Sequence, residues 1–400
     1  MREVEVDQQH TDQVYFQNLQ KLEQCIKPIH EAKGIPNEYY TKTEYFDLEK
    51  EILFNKGWFA VGFVKDLPQP GSVKPVKYFK NPLLLIRSIQ DKKIRVFQNV
   101  CRHRGMTLIE KPTVLKGAIR CPYHSWCYKQ TGEVVATPHI GGPGHNYHSD
   151  SNKSELSLIE VHSHVWRDVI FVNPDGRAKP FEEVHKPLLE RWSSFDQPMH
   201  SDMSDSSFEL GVKTNWKLAV ENYLESYHLP WIHPGLNSYS KLEDHENIVK
   251  YGHYSGQISN KYIPRYSTGK QFLNFKNLSS EWDSKGEYIV LFPNLILGVQ
   301  KDHVFNLIIE PMGCDQIKEH VEIYYSDSSM LSDEYQQTRL ENTKLWRTVF
   351  EEDIFVVEGM QQGRYAEGFD GGRFSPVMDE PTHVFHDWYA RKMLKVYNVF

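Results

Sequence analysis

Two short runs decide how this chain is read: NVCRHRG at residues 99–105 and CPYHSW at residues 121–126. The first offers Cys101 and His103, the second Cys121 and His124, with 17 residues between His103 and Cys121. Structural zinc takes tetrahedral Cys₂His₂ sites, but the usual finger pairs Cys with Cys and His with His. Here each run mixes one thiolate with one imidazole. A two-iron two-sulfur cluster with two Cys on one iron and two His on the other is the alternative. Two loops of mixed donors can straddle such a rhomb, each reaching both irons, so the pattern suits that cluster better than one zinc ion. Histidine ligation raises the potential above that of an all-cysteine cluster, so the centre can accept an electron and pass it on. Cys127, three residues past His124, reads as a buried thiol and not a ligand.

Around these runs, from about residue 57 to 174, short apolar stretches (58–63, 83–86, 94–100 and 169–172) alternate with Gly, Pro, Asp and Asn. That texture predicts a small all-β domain. The first 50 or so residues are polar and predicted helical, with a turn at Gly34–Pro36. From residue 208 the texture changes again. A helix is expected from near Asn215, strands over 288–297, 304–309 and 320–325, and a long helix over 333–362. Strands with a long helix predict an α+β domain. The expected organisation is an N-terminal helical segment over 1–45 packing on the catalytic domain, a cluster domain over 46–175 and a catalytic domain over 176–400.

The chain has 400 residues, 40% hydrophobic and 25% charged, enough for two or three domains with ordinary cores. Its 46 Lys and Arg against 53 Asp and Glu give a net charge of −7, which argues against nucleic-acid or membrane-surface binding. The opening MREVEVDQQHTDQ has no apolar run of the kind a secretory signal needs. The longest apolar stretch, Tyr288–Val299, is broken by Pro293 and Asn294 and is too short to span a bilayer. A soluble, cytoplasmic protein is expected. Five cysteines, odd and sparse, argue against a disulfide framework.

A second constellation lies in NWKLAVENYLESYHLPWIHPG, residues 215–235. On a helix Glu225 and His228, at i and i+3, share a face. Pro230 discourages helix at Leu229, which places His233 in a turn after the helix, where it can reach the same metal as His228. Two imidazoles and one carboxylate make the facial triad of mononuclear ferrous oxygenases, with positions left open for oxygen. Glu225 is one choice of carboxylate; the distal helix offers another. At about 100° per residue, Trp346, Val349, Phe350, Val356, Val357 and Met360 form an apolar arc with Asp353 at its centre, while Glu351 and Glu358 fall on the solvated side. A carboxylate inside a buried face needs a partner; a metal is one, a buried Arg or Lys another.

Taken together, NVCRHRG, CPYHSW, the run from Glu225 through Tyr227-His228 to His233, and the later Asp353 resemble the Rieske non-haem iron oxygenases. The resemblance covers about residues 40–390 and includes FDGGRFSPVMD at 369–379, to which no chemistry is assigned. It implies a Rieske β-domain, a helix-grip (START-like) catalytic domain with an antiparallel sheet and long C-terminal helix, and a head-to-tail homotrimer. It implies one 2Fe-2S cluster on Cys101, His103, Cys121 and His124, and one mononuclear Fe(II) on His228, His233 and Asp353. By the same resemblance Glu225 is an electron bridge to the neighbouring subunit's cluster, not an iron ligand; as a carboxylate it would also fix the imidazoles it touches. Glu at this position, where many ring-hydroxylating members have Asp, resembles the carnitine-type members that act on quaternary amines. Asn222 aligns approximately with a family asparagine near the iron, and its role stays open.

The expected activity is that of an oxygenase component that uses O2 and electrons from a separate flavin- or ferredoxin-type NAD(P)H reductase to hydroxylate or oxidatively demethylate a small organic substrate. The glycine-rich GGPGH at 141–145 lacks the strand–turn–helix setting of a nucleotide site, so the reductase is expected elsewhere. Tyr223, Tyr227, Trp231, Tyr251, Tyr254, Tyr262 and Tyr266 offer rings for a cation–π cage, or ordinary core. An aromatic ring or aryl acid is the second substrate class; a basic pocket residue would favour the acid, its absence the amine. An electron carrier would need only the first constellation, so the second set of ligands argues against it; a zinc-stabilised binding module would need no iron.

Overall fold

A computed structural model describes residues 20–149, 152–202 and 204–397. The chain forms two compact units: Phe54–Lys179, and the described residues up to Leu53 together with those from Pro180 onward. The breaks fall a few residues later than composition indicates. Phe54 packs edge-on against Phe59 and Phe79, and the Trp58 indole donates to Lys179 O, so both ends are tied into the β unit.

The β unit holds ten strands: β1 (Phe59–Phe63), β2 (Ser72–Tyr78), β3 (Asn81–Arg87), β4 (Ile94–Gln98), β5 (Thr113–Val114), β6 (Ile119–Arg120), β7 (Cys127–Tyr128), β8 (Val134–Ala136), β9 (Glu160–Trp166) and β10 (Val169–Asn173). Seven form an antiparallel sheet in the order β1-β10-β9-β4-β3-β2-β5, and β6-β7-β8 form a second. The buried positions of β3 and β4 (Leu84, Ile86, Phe97) join Ile119, Trp126 and Tyr128 in one core. Cys101 and Cys121 are part of that core, so the thiols are placed by hydrophobic packing.

The described residues of the second unit form seven strands: β11 (Ser207–Val212), β12 (His245–Lys250), β13 (Tyr254–Ser259), β14 (Gly286–Leu291), β15 (Leu295–Gln300), β16 (His303–Gly313) and β17 (Gln316–Tyr325). They make one antiparallel sheet, β11-β17-β16-β15-β14-β13-β12. Three helices matter most: α1 (Trp216–Leu224), α2 (Gln336–Gly363) and α3 (Glu380–Tyr397). Helix α2 packs on α1, and α3 on β12 and β13. The antiparallel sheet with its long helices is the α+β architecture expected.

Local differences have simple causes. The apolar run over 288–297 is a hairpin, not one strand: Leu291 faces Leu295 across a turn holding Pro293 and Asn294, because Pro cannot donate to a sheet ladder. Helix α2 begins at Gln336, after a 3₁₀ turn over Asp333–Tyr335. Helix α3 has no counterpart among the expected elements. The FDGGR stretch acquires a packing role: a Cβ on Gly34 would lie 2.2 Å from Gly371 O, and Gly371 has φ +95°. Neither residue tolerates a side chain there. Among the described residues no helix is long and apolar enough to cross a membrane.

Candidate metal centres

The two loops of the β unit are built alike. In the first, Cys101 N donates to Met106 O at 2.8 Å and Gly105 N to Cys101 O at 3.1 Å; in the second, Cys121 N donates to Trp126 O at 2.8 Å and Ser125 N to Cys121 O at 3.1 Å. The fourth residue after each Cys has positive φ, Gly105 at +74° and Ser125 at +58°. Both thiols are buried, whereas His103 is exposed and His124 partly so. The imidazoles lie 4.7 Å apart, centroid to centroid, and His103 stacks on Trp126. His124 Nδ1 is buried with no protein partner, which fits a metal-ligating nitrogen.

The electrostatics of this set agree with that use. Burial raises the Cys101 thiol, partly opposed by a hydrogen-bond contact with the Tyr128 hydroxyl at 3.2 Å. A thiolate there needs a nearby positive charge, which metal supplies. Burial and the neighbouring His124 lower His103, favouring the neutral imidazole that ligation requires. Cys127 is buried and its Sγ donates to Ser125 O, consistent with a structural thiol.

The second centre starts from α1, whose N-cap Asn215 accepts from Lys217 N. This helix is buried on almost every side, and a charged side chain inside it needs partners. Lys217 Nζ meets Glu49 Oε1 at 2.5 Å and Tyr39 O at 2.9 Å. Glu49 in turn accepts from the Trp216 indole and the Tyr389 hydroxyl. The N-terminal segment and α3 thereby anchor the helix that leads into the site.

The helix stops at Leu224, earlier than expected, and Glu225 is extended. Its carboxylate accepts from the backbone N–H groups of Tyr227 and His228, acting as the cap of the next turn. A short helix over Leu229–Ile232 follows, with Pro230 in its first turn. Leu229 is therefore helical after all, because Pro is tolerated where the first N–H groups have no partner. His233 comes immediately after this turn.

That break brings the triad together. His228 Nε2 lies 3.2 Å from His233 Nε2, His233 Nε2 3.1 Å from Asp353 Oδ1, and His228 Nε2 3.7 Å from Asp353 Oδ1. Among the described residues they are the one group of three or more His, Cys, Asp or Glu whose ligand atoms, one from each, all lie within 4.8 Å of one another. Each ring's other nitrogen meets a carboxylate: His228 Nδ1 to Glu225 Oε1 at 2.7 Å, and His233 Nδ1 to Glu352 Oε2 at 2.8 Å. Such partners fix which ring nitrogen faces a metal. Asn222 Nδ2 donates to Asp353 Oδ1 at 3.2 Å, so this residue orients the carboxylate of the triad. Burial alone would lower His233, but Asp353 and Glu352 outweigh it and hold the imidazole above its ordinary value. The donor set fits a two-histidine, one-carboxylate iron site with open positions.

Sequence reasoning missed Glu352. It sits between Glu351, assigned to solvent, and Asp353, and only the position of His233 reveals its role. Glu351 is solvated and pairs with Arg347, but Glu358 accepts from Lys213 N. The proposed aromatic cage does not assemble from the expected rings. Tyr227 and Trp231 are 45% and 70% exposed, and Tyr251 is also at the surface. Tyr254 is buried in the sheet, Tyr262 stacks on Trp346 and Tyr266 bonds Asn342.

Only Tyr223 reaches the cavity beside Asp353, which is lined by Val212, Ala219, Asn222, Tyr223, Ile296, Glu319, Phe350, Asp353, Ile354 and Val357. Its volume is ≈ 20 Å³, room for about one water. Burial, with a smaller contribution from the Asp353 carboxyl, pushes Glu319 up to about 8.

Two family models match: the Rieske [2Fe-2S] domain over residues 57–147 and the ring hydroxylating alpha subunit (catalytic domain) over residues 190–395. The chain belongs to the ring-hydroxylating alpha-subunit family and is the oxygenase subunit of a Rieske oxygenase. The cofactors of that class are one 2Fe-2S cluster and one mononuclear iron, with O2 as co-substrate.

Among its relatives, the carnitine monooxygenase oxygenase subunit of Acinetobacter pittii is 27% identical, over 85% of this chain and 87% of the relative. The chloroplastic choline monooxygenase of Atriplex hortensis is 25% identical, over 93% and 81%. In fold, the chain is similar to the quaternary ammonium Rieske monooxygenase CntA with L-carnitine (TM-score 0.74, 23% identity, 92% of this chain and 97% of that one). Another structure of such a quaternary ammonium monooxygenase concerns carnitine oxidation and inter-subunit electron transfer. Naphthalene 1,2-dioxygenase from Rhodococcus sp. has the same fold (TM-score 0.74, 17% identity, 94% and 98%).

Proposed function

We propose that the chain is a monooxygenase acting on a small quaternary amine. The observation that carries this reading is the cavity beside Asp353, whose lining holds no Lys or Arg but does hold a buried carboxylate, Glu319, and the stacked rings of Tyr223 and Phe350. An aryl acid would meet a carboxylate there instead of a cation, which disfavours the second substrate class. The carnitine and choline monooxygenases among the relatives point the same way.

In this reading Cys101, His103, Cys121 and His124 hold the cluster, and His228, His233 and Asp353 hold the ferrous ion. Bound iron supplies dioxygen activation, with one oxygen atom entering a substrate C–H bond and the other leaving as water at the expense of two electrons and two protons. The protein's own residues orient and exclude. Glu225 and Glu352 hold the outer nitrogens of the two imidazoles, and Asn222 holds the Asp353 carboxylate.

The electrons come from a separate flavin- or ferredoxin-type NAD(P)H reductase. The subunit works as a homotrimer in the cytoplasm, and Glu225, hydrogen-bonded to His228, bridges the cluster of the neighbouring subunit to the iron, which is the group that takes up the electron. The exposed rings of Tyr227 and Trp231, which meet edge-on, supply apolar surface for that neighbour. A heterologous ring is a permitted closed assembly.

The test is turnover of the reductase-coupled enzyme with choline, carnitine and an aryl acid, together with Glu225→Gln. A hydroxylated or demethylated amine is expected, whereas oxidation of the aryl acid alone would overturn the reading. Glu225→Gln should keep iron and cluster yet slow transfer between them, read by single-turnover oxidation of pre-reduced protein. Unchanged transfer would remove Glu225 from the electron path.

A further inference from the structure

We infer that Glu319 is the residue that selects cationic substrates, by pairing its carboxylate with the positive charge of the bound amine. The inference deepens the quaternary-amine reading and rests on it. Strand β17 alternates, and Ile317, Glu319, Val321 and Ile323 occupy one face of it. Across the ladders Glu319 lies opposite Leu210 on β11 and Ile309 on β16, so its sheet neighbours are aliphatic. A carboxylate therefore stands where the pattern calls for another apolar residue.

Glu319 is only 8% exposed. None of the side-chain hydrogen bonds or ion pairs of the described residues involves it, whereas other buried acids are partnered: Glu49 by Lys217, Glu221 by Arg364, Asp205 by Arg339 and Glu287 by Arg191. Burying a carboxylate without a partner is costly, and proteins seldom do so without a use. Glu319 lines the same cavity as the triad's Asp353 and its orienting Asn222.

The rest of the lining tells which partner fits. The Tyr223 and Phe350 rings stack with centroids 6.4 Å apart, and the Tyr223 hydroxyl is turned away to donate to Leu297 O. Rings with apolar walls attract alkylated ammonium groups, and a quaternary nitrogen has no N–H that would need an acceptor. A cation beside the buried Glu319 carboxyl favours its ionised form, which then supplies the counter-charge that such a cation lacks after leaving water. The space has room for about one water, so entry of an alkylammonium group moves flanking side chains.

The experiment compares choline with its neutral carbon isostere, 3,3-dimethylbutan-1-ol, on the iron-loaded, cluster-containing enzyme. Binding is measured by calorimetry and turnover by oxygen uptake, for wild type, Glu319→Gln and Glu319→Asp. Wild type should prefer the cation. Glu319→Gln should reduce that preference at least tenfold, through Kd and KM more than kcat, and Glu319→Asp should restore part of it. Three irons per chain should remain in both variants, and the melting temperature of Glu319→Gln without ligand should be equal or higher, since the uncompensated acid is gone.

An unchanged preference in Glu319→Gln would overturn the inference while leaving the quaternary-amine reading intact. Loss of mononuclear iron or of folding in both variants would also overturn it, making Glu319 a structural group. If wild type bound the isostere as well as choline, or neither probe, the quaternary-amine reading would fail and the inference with it.

Discussion

The two metal centres are built by opposite strategies. In the β unit, all four donors lie within 24 residues, Cys101 to His124, on two loops with the same internal hydrogen bonds. In the other unit the triad joins His228 and His233 to Asp353, 120 residues further along the second of two packed helices. The first site is a local device seated in a local core. The second exists only when α1 stops at Leu224 and α2 docks beside it. The difference teaches where each site is vulnerable: the loops to loss of a donor, the triad also to anything that moves a helix.

Removing one donor from each centre gives the largest effects and is the sharpest way to break this comparison. Asp353→Ala should abolish turnover and lower iron from three to two per chain while leaving the cluster's EPR signal intact. Cys121→Ser should remove that signal and the acid-labile sulfide while the triad still binds Fe(II). Loss of both centres in either variant would show that they are not built independently.

A change remote from the triad tests the helix-docking half of the contrast. Lys217→Met leaves Glu49 buried without its cation, and breaking such a pair costs about 3–5 kcal/mol. Denaturant unfolding should show that loss, with iron released at lower denaturant than the cluster's visible absorption fades. Simultaneous loss of both would argue against a separate vulnerability.

A smaller effect is expected at Glu352. Glu352→Gln weakens the hold on His233 Nδ1, and changes to such partners lower metal affinity by roughly 10–100-fold. Competition with a chelator measures this. Unaltered affinity would make the Glu352 contact incidental.

The mildest expectation concerns pH. In metal-free protein the carboxylates hold His233 above its ordinary value, about 6.5 for a free imidazole. That stabilisation is fully present below the unfolded-state value and is lost as pH rises through the folded one. Iron must displace the same proton, so Fe(II) affinity should rise with pH across that range and binding should release protons. An affinity independent of pH between about 6 and 8 would contradict it.

Much of this was legible from the chain alone, and the reason differs by element. The mixed Cys and His runs carry their chemistry in spacing, so Cys101, His103, Cys121 and His124 stand out as a candidate donor set without a fold. His228 and His233 are legible as a pair, although the detail is not: Pro230 discourages helix at Leu229 in the sequence, whereas it lies in the first turn of a new short helix. Asp353 stood out because a carboxylate interrupts an apolar helical arc. Glu352 did not, since an acid beside another acid has no pattern of its own. Most of the aromatic residues near the motif in sequence proved remote from the cavity, because proximity along a chain says little about which face a ring takes.

By itself, the sequence determined the residue types of the candidate donors, their local spacing, the strand-rich texture of the first domain and the long helix. Those properties depend on residue chemistry and on periods of two or 3.6 residues. Tertiary structure alone decided that Glu352 braces the outer nitrogen of His233 and that Glu319 faces the cavity. Each of these depends on contacts between distant strands and helices, which follow from packing the whole sheet against α1 and α2 and not from any local pattern.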